Sequence, residues 1–298
     1  MDTQSAASYV RQLQAPLVGS FISLIFYGIS CVQTFFYFQT YPNDRKLLKW
    51  MVAVIWILES VHSGFIISFN NSYFINGFSD PAIFEHIIWD FMVNIEIGFI
   101  IILIVNLFFI WRVWMLSRRA WVIVLLLFLV IAPYGVYCQE LVFLTYSILM
   151  PAVLASVSIL IGFFDNTWTS FMEHALAIAA ASMGATVLAD TLIASTLAYY
   201  LYSRRAQSST RMVTRLLAYV VGTGALTSIF SVIELICILS SPNTLLSLLF
   251  ELIQVKIYAN SALLSLNLRQ YQRQEDVVPS LGNVNTTSGD SKLFITPV

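Results

Sequence analysis

Long apolar segments separated by short polar connections are the feature that most restricts the fold of this chain. Each is long enough to cross about 30 Å of hydrocarbon as a helix, and they lie near 17–38, 47–69, 87–110, 172–200, 216–240 and 245–268. Only 10% of the 298 residues are charged and 58% are hydrophobic, whereas a soluble domain usually has about 25% charged residues. The sequence therefore predicts an all-α integral membrane protein with the lipid bilayer as its surroundings.

The apolar stretch 120–164 is too long for one straight crossing, because as a single helix it would extend about 68 Å, about twice the thickness of a bilayer. Lys and Arg in short loops stay on the cytoplasmic side of a membrane. Loops with these residues alternate with loops that have none, at 70–86, 165–171 and 241–244. This alternation predicts one crossing, at about 120–141, with an external extension at 142–164. The prediction is a polytopic bundle of seven transmembrane helices, with the N-terminus outside and the C-terminus cytoplasmic.

The chain then divides into three regions: an extracellular N-terminal segment 1–16, the transmembrane domain 17–268, and a polar tail 269–298. The tail composition predicts cytoplasmic disorder. With 15 Lys and Arg against 16 Asp and Glu, the chain lacks the basic surface that nucleic-acid binding needs. We expect the plasma membrane as the location; the sequence predicts no oligomeric state.

Ionisable and amide side chains inside apolar segments are candidates for a ligand or ion pathway, because such groups cost several kcal/mol unless they pair or face water. The candidates are Glu59, His62, Asp90, Glu96, Asp190, Glu234, Glu251, Lys256 and Asn260. Lys256 lies near the predicted midplane and needs a counter-ion. We expect Asp190 as its partner, with Glu234 or Glu251 as the next candidates.

The three histidines all lie toward the predicted external leaflet. Glu59 and His62 are three residues apart and His86 and Asp90 four apart, so each pair shares a helix face. Imidazole and carboxylate groups suit zinc and related metals. The sequence therefore keeps a metal site open, with His62, His86, Asp90 and His174 as candidates, although a hydrogen-bonded network between helices is the preferred interpretation.

Four strings of residues resemble a large fungal family of seven-helix membrane proteins catalogued as domain of unknown function 6534. They are Trp56-Ile57-Leu58-Glu59 with His62, Phe108-Phe109-Ile110-Trp111-Arg112-Val113-Trp114, Ala189-Asp190-Thr191-Leu192-Ile193 with Tyr199-Tyr200-Leu201, and Lys256-Ile257-Tyr258-Ala259-Asn260-Ser261-Ala262-Leu263-Leu264. The resemblance covers roughly 17–268 and is strongest in the second half. It implies a multi-pass membrane protein and no assigned activity.

Four functions remain open, one of which is a structural or scaffold role. A receptor-like sensor of a small-molecule ligand is favoured by the predicted topology, although Trp111-Arg112-Val113-Trp114 replaces the acidic-Arg-Tyr triplet of rhodopsin-type receptors. A transporter or proton-coupled permease would use the intramembrane carboxylates and Lys256. A membrane-embedded metal hydrolase is a further alternative, and an enzymatic role is the least favoured. Lys256 also invites a retinal Schiff base, but no other rhodopsin signature accompanies it, and no cofactor is predicted.

Overall fold

A computed structural model of the chain describes residues 3–77, 83, 88–131, 168–207, 211–241 and 244–282, and within these ranges every regular element is helical. The helices are α1 Thr3–Thr40, α2 Lys46–Asn71, α3 Trp89–Ser117, α4 Ala120–Ile131, α5 Trp168–Gln207, α6 Arg211–Ser240 and α7 Leu246–Gly282. A π-helical turn, Ser72–Asn76, continues α2. This architecture confirms the predicted all-α class.

Local signals end the helices at the short connections. The Pro42-Asn43-Asp44 sequence follows α1, and proline disfavours a helical conformation in the residue before it. At the end of α3, Arg118 adopts a left-handed conformation with φ of 54°, and its amide donates to the Trp114 carbonyl at 3.1 Å. Such a left-handed residue satisfies a carbonyl of the last helical turn. Short connections of this kind place successive helices side by side in opposite directions.

The helices follow one another around a closed bundle. α1 packs on α2 and α7, α2 on α3, α3 on α5, α5 on α6, and α6 on α7. α3 and α7 also contact each other, and α4 packs on α3 and α5 through Val122, Leu126 and Val130. α7 is enclosed most fully, because residues 252–263 are all buried. Most polar candidates therefore face protein rather than lipid.

Five stretches of the described helices are long and apolar enough to cross a membrane: Leu13–Thr40, Lys46–Asn76, Trp89–Ser117, Met183–Ser203 and Gly222–Ser240. Large apolar side chains such as Phe21, Trp50 and Phe128 point outward from the bundle, as expected for lipid contact. These helices indicate an integral membrane protein. α7 contains residues 246–268 of the predicted last span and is long enough to cross a membrane, but it is less apolar because polar side chains line its buried centre.

Several helices extend beyond the predicted segments. α1 begins at Thr3, within the segment predicted to be extracellular, and α7 continues to Gly282, within the predicted tail. Residues 132–167, which include residues 132–141 of the predicted fourth crossing and all of the extension 142–164, lie outside the described residues, as do 283–298. The division into three regions stays a prediction.

Candidate functional site

Lys256 and Glu59 form an ion pair in the centre of the bundle. The Lys256 Nζ lies 3.3 Å from the Glu59 Oε2, and both side chains are 0% exposed. The ammonium also donates to the Glu59 carbonyl at 3.2 Å and to the Ser63 Oγ at 2.9 Å. Two side chains of α1 also contact the pair. The Ser30 Oγ donates to the Glu59 Oε2 at 3.5 Å, and the Tyr27 ring centre lies 5.4 Å from the Lys256 Nζ. The pair therefore joins α7 to α1 and α2.

The expected pairing of Lys256 with Asp190 is wrong, and neither Glu234 nor Glu251 takes its place. Successive residues of a helix are rotated by about 100°, so Lys256 and Tyr258 project from nearly opposite faces of α7. The face with Lys256 meets α1 and α2, whereas the face with Tyr258 meets Asp190 of α5. The sequence placed Lys256 inside the last apolar segment, but it did not show the direction in which the side chain projects.

Asp190 is the centre of a second polar group, which links α5, α6 and α7. Its Oδ2 accepts hydrogen bonds from the Tyr258 hydroxyl and from the Ser231 Oγ, the latter at 3.3 Å. The Asn106 side chain of α3 also hydrogen-bonds to it. The Gln254 Nε2 donates to the Ser231 Oγ at 2.8 Å. Both Asp190 and Ser231 are buried, so these bonds satisfy a carboxylate that would otherwise lose its hydration.

A small cavity adjoins Asp190. It measures about 30 Å³, and its lining includes Asn106, Thr227, Tyr258 and Ser261. A cavity needs about 10–15 Å³ to hold one water, so this space admits one or two water molecules. It is too small for a typical organic ligand, which occupies about 300 Å³ or more.

A third group consists of carboxylates near the start of α7. Glu251 interacts electrostatically with Glu96 of α3, and Glu234 of α6 with Glu251. Glu234 is only 2% exposed, and its Oε2 has no hydrogen-bond partner within the described part of the chain. Glu251 therefore lies close enough to interact with a carboxylate of α3 and with one of α6.

His62 and Asp90 lie on the α2–α3 side of the bundle but do not form a joint site. His62 is buried beside Gly98, and its carbonyl accepts a hydrogen bond from the Asn94 Nδ2 at 2.9 Å. The Asp90 Oδ2 instead accepts from the Ser68 Oγ at 2.5 Å. No group of three or more His, Cys, Asp or Glu side chains suited to a metal occurs among the described residues. His86 and the side chain of His174 lie outside them, so the metal site stays a prediction.

Asn260 connects helices. Its Nδ2 donates to the Phe26 carbonyl of α1 at 3.1 Å and to the Lys256 carbonyl at 2.8 Å. Seven residues later, the Asn267 Nδ2 donates to the Gln33 carbonyl of α1 at 2.8 Å. Residues seven apart lie on one helix face. The two asparagines therefore attach α7 to α1 on the same side as Lys256.

A fourth polar group lies around Arg269 of α7, just beyond the predicted last span on the side that is predicted to be cytoplasmic. The Arg269 Nη2 lies 2.5 Å from the Asp44 Oδ2, which also accepts a hydrogen bond from the Tyr37 hydroxyl at 2.9 Å. Partial burial alone would raise the pKa of the Asp44 carboxyl, but hydrogen bonds from Arg269, the Arg45 amide and Tyr37 outweigh this effect and lower the pKa. The guanidinium also lies over the Tyr41 ring at 4.7 Å. This group holds the α1–α2 connection against α7.

Sequence reasoning missed most of the neutral residues that complete these groups. They are Tyr27, Ser30, Ser63, Asn106, Ser231, Gln254, Tyr258 and Asn267. A usable signal was present in α7, where Glu251, Gln254, Tyr258 and Ser261 recur at intervals of three and four residues. That spacing marks one helix face.

Comparison with known proteins gives a partial match. No curated protein and no solved structure matches the chain. The model of a family described as "Family of unknown function (DUF6534)" matches residues 186–271. This part contains Asp190, Glu234, Glu251 and Lys256, whereas Glu59, the partner of Lys256, precedes it. Over residues 186–271 the chain is therefore similar to a family whose function is unknown.

Proposed function

We propose that this protein is a receptor-like sensor in the plasma membrane, built from seven membrane-crossing helices with the N-terminus outside and the C-terminus in the cytoplasm. The observation that carries the proposal is the buried Lys256–Glu59 ion pair, which joins three helices at the centre of the bundle. The alternation of basic and non-basic loops supports the orientation.

A buried ion pair suits a sensor because its energy depends steeply on geometry. Two charges in a nonpolar interior are tolerated while they remain paired, and loss of one partner costs about 3–5 kcal/mol. We therefore expect a small displacement of α7 relative to α2 to switch the bundle between two discrete arrangements rather than to deform it gradually. A ligand that favours one arrangement would shift the populations of both.

The proposal is tested by measuring distances between spin labels in the full-length protein in lipid nanodiscs. The native cysteines Cys31, Cys138 and Cys237 are replaced, and labels are attached after Ile67→Cys on α2 and Leu246→Cys on α7, since both side chains are exposed. We expect Glu59→Gln to populate a second distance that is rare in the unsubstituted background. Glu59→Gln combined with Lys256→Met should restore a single distance.

Asp90→Asn is the matched control, because Asp90 is also a buried carboxylate but bonds to Ser68. It should leave the distance distribution unchanged. A distribution that is the same in the background protein and in all the variants would contradict a switch at the ion pair.

A proton-coupled transporter is the second candidate. The buried carboxylates Asp190 and Glu234 and the cavity beside Asp190 favour it, because such groups often carry protons in transporters. Proteoliposomes with an internal pH-sensitive dye separate the candidates. A transporter would acidify the vesicles down an imposed proton gradient, with reduced flux after Asp190→Asn, whereas a sensor would give the background rate of protein-free vesicles.

A further inference from the structure

Polar side chains form a continuous seam between α6 and α7 that the Lys256–Glu59 pair does not use. We call it the acidic seam; it consists of Ser231 and Glu234 on α6, Glu251, Gln254 and Tyr258 on α7, and Asp190 on α5. Ser231 and Glu234 are three residues apart, and the α7 members recur at intervals of three and four. Both sets therefore lie on single helix faces, and α6 packs directly on α7.

Hydrogen bonds connect the inner half of the seam. The Gln254 Nε2 donates to the Ser231 Oγ, the Ser231 Oγ donates to Asp190, and the Tyr258 hydroxyl donates to the same carboxylate. Glu251 precedes Gln254 by one helical turn, and Glu234 follows Ser231 by one turn. The seam thus runs from two carboxyl groups at its outer end to a carboxyl group beside the small cavity.

Two buried acceptor atoms in the seam have no donor within the described residues. They are the Glu234 Oε2 and the Gln254 Oε1, and each of these side chains is 2% exposed. The Gln254 amide is oriented into the seam by its bond to Ser231. Buried acceptors are normally satisfied, so both atoms are suited to accept a hydrogen bond from a protonated carboxyl group in the seam.

We propose that the acidic seam is a proton-binding site, in which Glu234 and Glu251 share a proton taken from water at the α6–α7 end of the bundle. In this step a hydronium ion loses one O–H bond and becomes water while one O–H bond forms on a carboxylate, so the charge of the seam becomes less negative by one. The two residues lie only about 8–9 Å along their helices from the α6–α7 connection.

The charged and titratable groups around Glu234 agree with a proton as the ligand. Glu251 faces it from α7, Cys237 lies one turn away on α6, Glu96 of α3 interacts with Glu251, and Asp190 of α5 joins through Ser231. The nearest basic residue along α7, Lys256, is bound to Glu59 on the other face. Carboxylates buried close together cannot all remain ionised at low cost.

A proton fits the available space better than a larger cation. The described part of the chain has no cluster of His, Cys, Asp and Glu suited to a metal, and the cavity beside Asp190 holds one or two waters. Organic ammonium groups need a larger pocket.

Infrared difference spectroscopy on the full-length protein in nanodiscs tests the proposal through the C=O stretch of protonated carboxyl groups. Spectra are recorded between about pH 5 and pH 8. We expect a protonated-carboxyl band that Glu234→Gln reduces by the intensity of a single carboxyl group. Glu251→Gln should move the pH midpoint of the remaining band, because it removes the neighbouring acid.

Asp90→Asn serves as the matched control, since Asp90 is also a buried carboxylate but lies outside the seam and bonds to Ser68. It should leave the band assigned to Glu234 and its pH midpoint unchanged. Retention of the full band in Glu234→Gln would overturn the proposal. If the carboxyl groups of the seam stay ionised over this pH range and Na⁺ raises the melting temperature at fixed pH, the ligand is a metal cation. That result would also overturn the proposal.

The acidic seam shares no residue with the proposed ion-pair switch. The infrared band reports protons in the seam whether or not the spin-label distances change, so failure of one proposal is distinguishable from failure of the other.

Discussion

The buried charge of Lys256 is stabilised by the carboxylate of Glu59, which lies nearly two hundred positions earlier in the chain. Among the described residues, the Lys256 Nζ lies at hydrogen-bond distance from groups of α2, namely the Glu59 carboxylate and carbonyl and the Ser63 hydroxyl. At the residue scale, the important property is complete burial of both charges. A charge with no water around it depends on its partner far more than a surface charge does.

We predict strong coupling between Lys256 and Glu59. Lys256→Met and Glu59→Gln should each lower the free energy of unfolding by about 3–5 kcal/mol, because each leaves a buried partner unpaired. The double variant should lose less than the sum, with a coupling of about 1–3 kcal/mol. Chemical denaturation in mixed micelles provides the measurement. Lys256→Met combined with Asp190→Asn is the control, and its losses should be additive; coupling in that pair instead would contradict the observed contact.

The Asp44–Arg269 pair should make the free energy of unfolding depend on pH. The pKa of Asp44 is lowered in the folded protein, so the unfolded chain takes up the proton first as the pH falls. The pair's contribution, about 1 kcal/mol for a partly exposed ion pair, is present above about pH 4 and is lost as the pH falls through the lowered pKa. Asp44→Asn should remove this part of the stability profile, measured by denaturation at each pH; an unchanged profile would contradict the assignment.

At the element scale, close approach of helix backbones determines how α7 enters the bundle. A Cβ on Gly19 of α1 would lie 2.8 Å from the Leu249 Cα and 2.9 Å from the Leu249 carbonyl oxygen of α7. These are backbone atoms, so they cannot turn aside as a side chain can. Asn260 and Asn267 then attach the same two helices farther along.

Gly19→Ala should therefore separate α1 from α7 and lower stability by about 1–3 kcal/mol, as overpacking usually does. Gly28→Ala on the same helix is the matched control, because nothing lies within 4 Å of its added Cβ. Alanine favours helices over glycine by up to about 1 kcal/mol, so the control should be neutral or slightly stabilising. Thermal unfolding in detergent compares the two, and equal effects would contradict the close α1–α7 contact.

The positions of most helices could be predicted from the sequence, but the contacts within the site could not. Apolar segments identify where helices such as α2, α3 and α6 lie, because lipid requires long uninterrupted apolar stretches. The same segments carry little information about rotation, since a helix that is apolar on most sides has no marked face. This is why the burial of Lys256 could be inferred while its partner was predicted wrongly.

At the scale of the whole molecule, the bundle separates its polar chemistry into two sides of α7. One side holds the Lys256–Glu59 pair and the asparagines that attach α1, and the other holds the acidic seam and the cavity beside Asp190. α7 therefore contacts both polar groups, and a movement of α7 would change the surroundings of each.

The proposed orientation predicts that the two chain ends lie in different compartments. An epitope tag at the N-terminus should bind antibody on intact cells, and a tag at the C-terminus only after the membrane is permeabilised, because the basic loops remain in the cytoplasm. The two tags are placed on separate copies of the protein in separate cell lines, with a cytoplasmic marker as the control. Antibody access to both ends under the same condition would contradict an odd number of crossings.

The sequence by itself determined that this is an all-α membrane protein, where most of its apolar helices lie, and which polar residues are buried within them. Composition and segment length suffice for these properties because they follow from transfer between water and lipid, which acts on each segment separately. Only the tertiary structure decided that Lys256 binds Glu59, that Asp190 binds Tyr258 and Ser231, and that a glutamate of α7 interacts with carboxylates of α3 and α6. Those contacts depend on the rotation of α7 between its neighbours, and that rotation results from packing of the whole bundle.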